Sequence, residues 1–265
     1  MTYCVGLRLD NGIVFASDTR TNAGFDNIAV FRKMHVWERK GDRVLVLLSA
    51  GNLAVTQAVI SGLNEQIDAN VESGEASLLN VQTMFQAARL VGEAVREVRR
   101  VDGPALEANN GTFAASFILG GQIHGEPPRM FQIYAEGNFI EATKDTPFFQ
   151  IGEHKYGKPI LDRVARPDMT MGEGTKVIMI SFDSTLRSNL SVGMPIDLLM
   201  YERDALEISY QRRIGANDPY FEKLSKGWSG ALREAFKNID NYRDPSATEG
   251  DEAQKNLSFD PMAAK

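Results

Sequence analysis

The sequence predicts an α+β fold, because its strand-like and helical segments occur in separate runs. The first fifty residues carry strand patterns, two long helical patterns follow over residues 51–70 and 78–101, and strands then return before a second group of helices. Segregated runs are typical of layered α+β packing, whereas regular strand–helix alternation predicts a parallel sheet. We therefore expect sheets and helices that pack as separate layers.

Four strands are predicted before residue 50. They are Tyr3–Leu9, Ile13–Ser17, Ile28–Trp37 and Arg43–Ser49. Asp10-Asn11-Gly12, between the first two, is typical of a tight hairpin turn, because asparagine and glycine tolerate the backbone angles that such turns require. The chain is therefore expected to begin with an antiparallel pair of strands.

The two long helices are predicted from apolar residues that repeat at helical spacing. The first helix contains Leu53, Val55, Val59, Leu63 and Ile67, and the second contains Val81, Met84, Phe85, Ala88, Val91, Val95 and Val98. Ser77 is the expected N-cap of the second helix, and Gly103-Pro104 is its expected end.

Shorter elements are predicted in the rest of the chain. The strands are Thr112–Leu119, Met130–Glu136, Asn138–Thr143 and Pro195–Tyr201, and the helices are Pro159–Ala165, Thr175–Leu186 and Phe221–Lys237. Residues 244–265 are polar and lack periodicity, which predicts a mobile tail. Because 265 residues with 43% hydrophobic composition suit one well-filled core, we expect a single domain over residues 2–243.

The charge and the N-terminus argue against several kinds of partner. A net charge of -6 and a pI near 5.3 predict no nucleic-acid partner and no anionic membrane surface as a partner. The chain shows neither a secretory signal nor a run of about 18 apolar residues, so we expect a cytoplasmic protein without a membrane span. The single cysteine, Cys4, excludes an internal disulfide and a cysteine-based zinc site within one chain.

No cofactor or metal is expected from the sequence. His35, His124 and His154 are too scattered to predict a metal site. Residues 152–158 resemble a phosphate-binding loop, but Pro159 follows them where Mg²⁺ binding needs serine or threonine.

Thr2 is the most informative residue for chemistry. A threonine after Met1 is small enough to permit removal of Met1, which would leave a free α-amino group beside a β-hydroxyl. An α-amine has a pKa of about 7.7–8 in water and acts as a base near neutral pH. Thr2 would then supply both the nucleophile and its general base. The alternative interpretation is that Thr2 is simply the first residue of a strand.

Further features follow Thr2 in a specific order. Asp18-Thr19-Arg20 comes after the first hairpin, Phe31-Arg32-Lys33 and then Ser49-Ala50-Gly51 follow, and residues 151–159 read Ile-Gly-Glu-His-Lys-Tyr-Gly-Lys-Pro. This order resembles that of proteasome β subunits and their bacterial relative HslV, and is most similar to the Anbu group, the bacterial ancestral β subunits. The resemblance is strong over residues 2–60, extends to about residue 200, and implies a four-layer αββα sandwich of the N-terminal nucleophile hydrolase type.

The resemblance also implies roles for individual residues. Thr2 is the expected nucleophile, Lys33 favours deprotonation of its hydroxyl, and Asp18 pairs with Lys33. Gly51 is expected to offer its backbone N–H to the developing oxyanion, and Arg20 to brace the acidic site. The residues that match the first specificity pocket are Thr21, Phe31, His35, Ser49 and Leu53. The alternative for Asp18 and Lys33 is an ordinary surface ion pair, and for Gly51 a simple turn.

Two segments depart from the family pattern. Proteasome β subunits carry a Gly-Ser-Gly-like turn, where this chain reads Gly-Glu-His, so Glu153 is expected to replace the serine. The family also carries Asp-x-x-Ser-Gly, where residues 188–193 read Ser-Asn-Leu-Ser-Val-Gly without an aspartate. Ser191 is the expected supporting serine, with Ser188 or Asn189 standing where the aspartate is normally found.

Three functions therefore remain open from the sequence. The first is a threonine-type peptidase, the second a small-amide hydrolase of the same superfamily, and the third a weakly active scaffold subunit. The resemblance implies a homo-oligomer, either a ring or an open spiral, that acts on a peptide or amide substrate. It does not identify any separate unfolding or tagging partner.

Overall fold

The computed structural model describes residues 2–22, 28–109 and 111–242, with side chains excepted at residues 22, 28 and 70–73. The chain divides into two units, Met1–Ser225 and Lys226–Lys265, and all the predicted site residues lie in the first. The predicted tail over residues 244–265 lies outside the described residues. The single domain over residues 2–243 remains a prediction.

Within the described residues, the strands form two five-stranded sheets and one short separate pair. In chain order they are β1 (Tyr3–Leu9), β2 (Gly12–Asp18), β3 (Arg20–Asn22), β4 (Ile28–Val30), β5 (Met34–Arg39), β6 (Arg43–Gly51), β7 (Ala115–Ile123), β8 (Arg129–Ile133), β9 (Phe139–Glu141), β10 (Phe148–Gly152), β11 (Ile196–Glu202) and β12 (Tyr210–Ile214). The first sheet has the order β10-β1-β2-β11-β12, the second has the order β5-β6-β7-β8-β9, and β3 pairs with β4. Every neighbouring pair is antiparallel.

The described residues form five helices, of which α1 to α4 cover the outer faces of the two sheets. In chain order they are α1 (Leu53–Ser73), α2 (Met84–Ala108), α3 (Lys158–Val164), α4 (Met171–Ser188) and α5 (Pro219–Lys237). One core joins α1 and α2 to the second sheet, another joins α3 and α4 to the first sheet, and a third lies between the two sheets. The predicted four-layer αββα sandwich is thereby confirmed. None of the described helices is long and apolar enough to cross a membrane.

The sandwich explains the unbroken apolar run of β6. Leu45 and Leu47 contribute to the core beneath α1 and α2, whereas Val44, Val46 and Leu48 contribute to the core between the sheets. Neighbouring residues of a strand point to opposite faces, so a strand buried on both faces needs apolar residues at every position. Each such side chain contributes about 1.5–3 kcal/mol when it leaves water.

The two sheets approach closely at their centre. A Cβ added at Gly120 of β7 would lie 2.7 Å from Cζ of Phe15 on β2. Cys4 of β1 is fully buried in the same central layer, and its thiol donates to the carbonyl oxygen of Ser49 on β6 at 3.6 Å. Burial raises the pKa of the Cys4 thiol well above its usual range.

Several predicted boundaries were wrong. The strand predicted over Ile28–Trp37 is split, because residues 31–33 leave the ladder and the N–H of Phe31 donates to the carbonyl of Thr19. The N-cap of α2 is Thr83 rather than Ser77, and Thr83 accepts a hydrogen bond from the N–H of Gln86. The helix also continues through Pro104 to Ala108. A proline disrupts bonds to the preceding turn, but near a helix end few such bonds are lost.

Three strands were not predicted from the sequence, namely β3, β10 and β12. β12 contains Gln211, Arg212 and Arg213, and most of its residues are exposed at the edge of the first sheet. β10 lies at the opposite edge and pairs with β1. β12 gains its stability from backbone pairing along one side, so it needs no apolar run and carries no apolar pattern from which it could be predicted.

Gly120→Ala should destabilise the fold by about 1–3 kcal/mol, because the added methyl group overpacks the layer between the sheets. Gly62→Ala is the matched control, since Gly62 lies within α1 and has no neighbouring atom within 4 Å of its would-be Cβ. That substitution should be neutral or should stabilise by up to about 1 kcal/mol through helix propensity. Urea denaturation of the three proteins would measure both effects, and equal stabilities for the two variants would contradict the packing argument.

Candidate active site

A cleft of about 500 Å³ opens where the start of β1 meets the end of β6 and the first turn of α1. The cleft is lined by Thr2, Thr21, Lys33, Ser49, Ala50, Gly51, Asn52, Leu53, Thr56 and Gly152. Six of these residues were predicted for the site from the sequence, namely Thr2, Thr21, Lys33, Ser49, Gly51 and Leu53. The fold therefore brings the expected nucleophile, the expected lysine and the expected oxyanion donor from separate segments to one surface.

Lys33 and Asp18 form a buried ion pair rather than a surface one. The Lys33 Nζ lies 2.7 Å from the Asp18 Oδ1, and the two side chains are 5% and 0% exposed. The ammonium group also donates to the carbonyl oxygen of Arg20 at 2.6 Å. Burial raises the pKa of the Asp18 carboxyl, and the charge of Lys33 opposes that increase. Because both partners are withdrawn from water, the lysine is fixed in position beside the cleft.

Asp18 also anchors two backbone segments. The N–H of Tyr3 donates to its Oδ1 at 3.0 Å, and the N–H of Gly193 donates to its Oδ2 at 3.4 Å. Asp18 ends β2, next to β1 on one side and β11 on the other, so its carboxylate reaches both neighbours. One side chain thus orients Lys33 and fixes the residue that follows Thr2.

Thr2 is held through its backbone by the turn that follows β10. The N–H of Glu153 donates to the carbonyl oxygen of Thr2 at 2.6 Å. Gly152 adopts a φ of +83°, and a Cβ there would lie 2.1 Å from the same oxygen. Glycine is required at this position because the backbone is left-handed and because Thr2 occupies the space of a side chain.

Gly51 shapes the floor of the cleft. It ends β6 with a φ of +124°, and a Cβ there would lie 2.2 Å from the carbonyl oxygen of Ala114. Asn52 follows, and its Oδ1 accepts the N–H of Ala54 at the start of α1. The sharp turn at Gly51 lets the chain pass from the sheet directly into the helix, with its backbone facing the cleft.

Arg20 and Ser191 are not among the described residues that line the cleft. Arg20 Nη1 donates to the carbonyl oxygen of Leu190 at 2.9 Å, and a Cβ at Gly193 would meet its guanidinium group at 2.1 Å. Arg20 thus contacts the loop over residues 190–193. The N–H of Ser191 donates to Asn189 Oδ1 at 2.9 Å.

Glu153 is buried although it was predicted only as a replacement for a serine. Its Oε1 accepts the N–H groups of His154 and Lys155 at 2.9 and 2.8 Å, and its Oε2 accepts Asn189 Nδ2 at 2.6 Å. Burial by itself raises the pKa of the Glu153 carboxyl, but these hydrogen bonds outweigh it and the net pKa is lowered. The carboxylate therefore remains ionised near neutral pH.

Phe31 and His35 are not among the described residues that line the cleft. Phe31 is half-buried before β5, where its N–H pairs with Thr19. His35 lies opposite Leu47, so it shares the face of the second sheet that is turned toward α1 and α2. Burial and then the charge of Arg32 lower the pKa of His35. Their roles in substrate binding remain predictions.

Four of the residues that line the cleft were not predicted from the sequence, namely Ala50, Asn52, Thr56 and Gly152. The first three lie next to predicted residues or one helical turn beyond Leu53, so local spacing could have indicated them. Gly152 joins the site through pairing of β10 with β1, which no local pattern revealed. The described residues contain no group of three or more histidine, cysteine or acidic side chains that could hold a metal ion.

Comparison with known proteins identifies the family. The family model described as "Proteasome subunit" matches residues 2–199. A solved structure of an Anbu (Gly-1) mutant from Hyphomicrobium is 59% identical, covers 92% of this chain and 100% of its own, and superposes with a TM-score of 0.85. This chain belongs to the proteasome subunit family, as a member of its Anbu group.

Other Anbu structures agree with this assignment. Anbu (ancestral beta-subunit) from Yersinia bercovieri is 47% identical with a TM-score of 0.84, covering 91% of this chain and 99% of its own. A helical assembly of the Anbu complex from Pseudomonas aeruginosa is 46% identical with a TM-score of 0.86, covering 92% and 100%. The curated proteasome subunit beta 2 of Pyrobaculum neutrophilum is 25% identical over 200 residues, or 75% of this chain and 87% of that protein.

The proteasome match includes every residue of the site. Thr2 and Ser191 are the first and last predicted site residues, and both lie within residues 2–199. β12 and α5 follow the matched region. The Anbu structures cover most of the chain, so they extend the similarity beyond the part shared with proteasome subunits in general.

Gly152→Ala should displace Thr2, because the new methyl group would overlap its carbonyl oxygen. Gly41→Ala is the matched control, since Gly41 has a similar φ of +77° but no atom within 4 Å of its would-be Cβ. Both variants place alanine in a left-handed backbone conformation, which costs about 1–2 kcal/mol. The contact with Thr2 is therefore measured by the additional loss of unfolding free energy in Gly152→Ala over that in Gly41→Ala. We expect an excess loss of about 1–3 kcal/mol in urea denaturation. Equal losses would show that the turn does not constrain Thr2.

Proposed function

We propose that this Anbu-type chain is a threonine-type peptidase, which hydrolyses amide bonds through Thr2 after Met1 has been removed. The observation that carries the proposal is the position of Lys33, which lines the same cleft as Thr2 and is fixed there by a buried bond to Asp18. A lysine kept out of water beside a hydroxyl stabilises the alkoxide that attack requires.

The reaction begins with proton transfer from the Thr2 hydroxyl to its own α-amine. The hydroxyl oxygen forms a bond to the substrate carbonyl carbon, and the carbonyl oxygen becomes a tetrahedral oxyanion. The backbone N–H of Gly51 is expected to stabilise that charge, as donors in an oxyanion hole do. The C–N bond then breaks, the leaving amine takes the proton from the α-ammonium, and an ester to Thr2 remains.

Water completes the cycle. The α-amine takes a proton from the attacking water, and the ester carbonyl becomes tetrahedral. As the C–O bond to Thr2 breaks and a carboxylic acid leaves, the α-ammonium returns its proton to the Thr2 oxygen, which restores the hydroxyl and the free amine. One residue thus provides nucleophile, base and acid, while Lys33 contributes its positive charge. Asp18 touches Lys33 and the backbone of Tyr3 rather than the reacting atoms, so it acts by positioning.

The substrate side chain is expected to enter the cleft beside α1. Thr21, Ser49 and Leu53 line it together with Asn52 and Thr56, so most of its side chains are uncharged. Lys33 is the one charged side chain among these described lining residues, and its charge is paired with Asp18. A peptide or a small amide with an uncharged side chain fits this lining.

A weakly active scaffold subunit is the second candidate. Glu153, which is expected to replace the serine of the family pattern, is bonded to Asn189, which with Ser188 is a candidate for the position of the aspartate, so both side chains are already engaged. Measuring the hydrolysis of peptides and of small amides by the processed protein distinguishes a peptidase, a small-amide hydrolase and a weakly active scaffold. If the chain is only a scaffold, it should neither hydrolyse these substrates nor react covalently with a threonine-directed electrophile.

Thr2→Ala should abolish peptide hydrolysis and covalent capture by a threonine-directed electrophile, because it removes the hydroxyl and keeps the amine. Lys33→Ala should reduce kcat by at least about 10²-fold, which is typical for loss of one group that stabilises the reacting charge. Lys176→Ala, at an exposed position on α4, is the control and should match the wild type. Intact mass would verify loss of Met1 in each protein. Wild-type turnover by Thr2→Ala would show that another residue is the nucleophile.

We also propose a homo-oligomer, either a ring or an open spiral, in which α1 and α2 pack against neighbouring subunits. Val101 of α2 is 57% exposed although it is large and apolar. The relative from Pseudomonas aeruginosa was solved as a helical assembly. If the clefts face the inside of such an assembly, folded proteins would be kept away from them.

Light scattering should give a mass several times the 29.3 kDa of one chain. Val101→Glu should lower that mass, because a charge in an interface core costs free energy. The melting profile of Val101→Glu should stay close to that of the wild type, since an exposed residue contributes little to the core of its own chain. A monomer for the wild type at all concentrations would contradict the assembly.

A further inference from the structure

Both polar atoms of the peptide bond between Thr2 and Tyr3 are held by hydrogen bonds. The carbonyl oxygen of Thr2 accepts the N–H of Glu153 at 2.6 Å. The N–H of Tyr3 donates to Asp18 Oδ1 at 3.0 Å. This peptide bond anchors the Cα of Thr2, from which the hydroxyl-bearing side chain and the amine extend. Whatever fixes Glu153 and Asp18 relative to each other therefore fixes the candidate nucleophile.

The contact on the carbonyl side depends on the turn after β10. The Glu153 carboxylate closes that turn, since its Oε1 accepts the N–H groups of His154 and Lys155 at 2.9 and 2.8 Å. Its Oε2 accepts Nδ2 of Asn189 at 2.6 Å. Glu153 is 5% exposed and Asn189 is 8% exposed, so water competes little for this bond.

The contact on the N–H side depends on the loop after α4. Asn189 is the C-cap of that helix, and its Oδ1 and carbonyl oxygen accept the N–H groups of Ser191 at 2.9 Å and Val192 at 3.2 Å. The loop then brings the N–H of Gly193 to Asp18 Oδ2 at 3.4 Å. The carboxylate that holds Tyr3 is therefore also bound to the loop that Asn189 organises.

We infer that Asn189 is a positioning residue, which closes a ring of hydrogen bonds that begins and ends on the Thr2–Tyr3 peptide bond. The ring runs from Thr2 through Glu153, Asn189, the 189–193 loop and Asp18 back to Tyr3. This role rests on the proposed function of Thr2 and deepens it. Misplacement of a reacting group by about 1 Å costs on the order of 10²-fold in rate, so a ring of this kind has a kinetic consequence.

The chemistry of the ring requires an amide at residue 189. The side chain must donate to Glu153 and accept from Ser191 at the same time, which a carboxylate cannot do. Asn189→Asp would place two carboxylates 2.6 Å apart and remove the link at neutral pH. At lower pH the two groups would share one proton, and a carboxyl–carboxylate hydrogen bond would restore the link.

Exchanging the two groups provides a matched rescue. In the double variant Glu153→Gln with Asn189→Asp, the amide and the carboxylate change places. The oxygen of the new amide at position 153 would accept the N–H groups of residues 154 and 155, and its nitrogen would donate to the new carboxylate at position 189. The other oxygen of that carboxylate would accept the N–H of Ser191. Every hydrogen bond of the ring is kept, but in the bond between positions 153 and 189 the donor and the acceptor change places.

The experiment measures kcat and KM for a peptide substrate from pH 5 to 8, with hydrogen exchange at the Tyr3 and Glu153 amides. Asn189→Asp should reduce kcat at pH 8 by about 10–10²-fold with little change in KM, because the cleft is intact. Relative to wild type at each pH, its rate should recover as pH falls, and exchange at both amides should follow the same trend. The double variant should restore kcat to within about threefold and restore protection.

Asn189→Asp with wild-type kcat and wild-type protection at pH 8 would overturn the inference. So would a folded double variant that remains as slow and as unprotected as the single variant. Hydrogen exchange tests the ring even without turnover. A wild type that neither hydrolyses substrates nor reacts with an electrophile would refute the proposed function, while altered exchange in Asn189→Asp would still establish the ring.

Discussion

The buried ion pair between Asp18 and Lys33 is the contact on which the arrangement of the site depends. Removing two charges from water costs several kcal/mol for each ion, and their attraction offsets this only with good geometry and further hydrogen bonds. Here those bonds come from the Arg20 carbonyl and from the N–H groups of Tyr3 and Gly193. The pair therefore forces four segments of the chain to converge, and the start of β1 is one of them.

The sandwich supplies the rigid frame that makes this convergence possible. β1 and β2 are inner strands of the first sheet, and both faces of that sheet are covered, by α3 and α4 on one side and by the second sheet on the other. Because these strands are packed on both faces, the residues at their ends have little freedom to move. The cleft forms where the strands stop, so its walls are well placed although much of its backbone is loop.

The order of residues along the chain was enough to predict much of this site. Thr2, Asp18, Lys33 and Gly51 sit at the ends of strands with clear patterns, so their convergence followed from a resemblance in which spacing is informative. The supporting role of Ser191 remains a prediction, and the bond between Asn189 and Glu153 was not predicted from the sequence. These two residues are 36 positions apart, and neither lies in a periodic element that predicts where its side chain points. Some predicted boundaries of helices and strands were wrong for a similar reason, because edge strands and helix caps depend on partners that are distant in sequence.

The burial of Cys4 gives the chain an internal reporter of the central layer. It is the one cysteine in the sequence, it is fully buried between the sheets, and its thiol is bonded to the Ser49 carbonyl of the facing sheet. A thiol reagent attacks the thiolate and needs direct access to sulfur, so reaction requires the two sheets to part. The labelling rate of the unmodified protein therefore measures how often the sandwich opens, without an introduced probe.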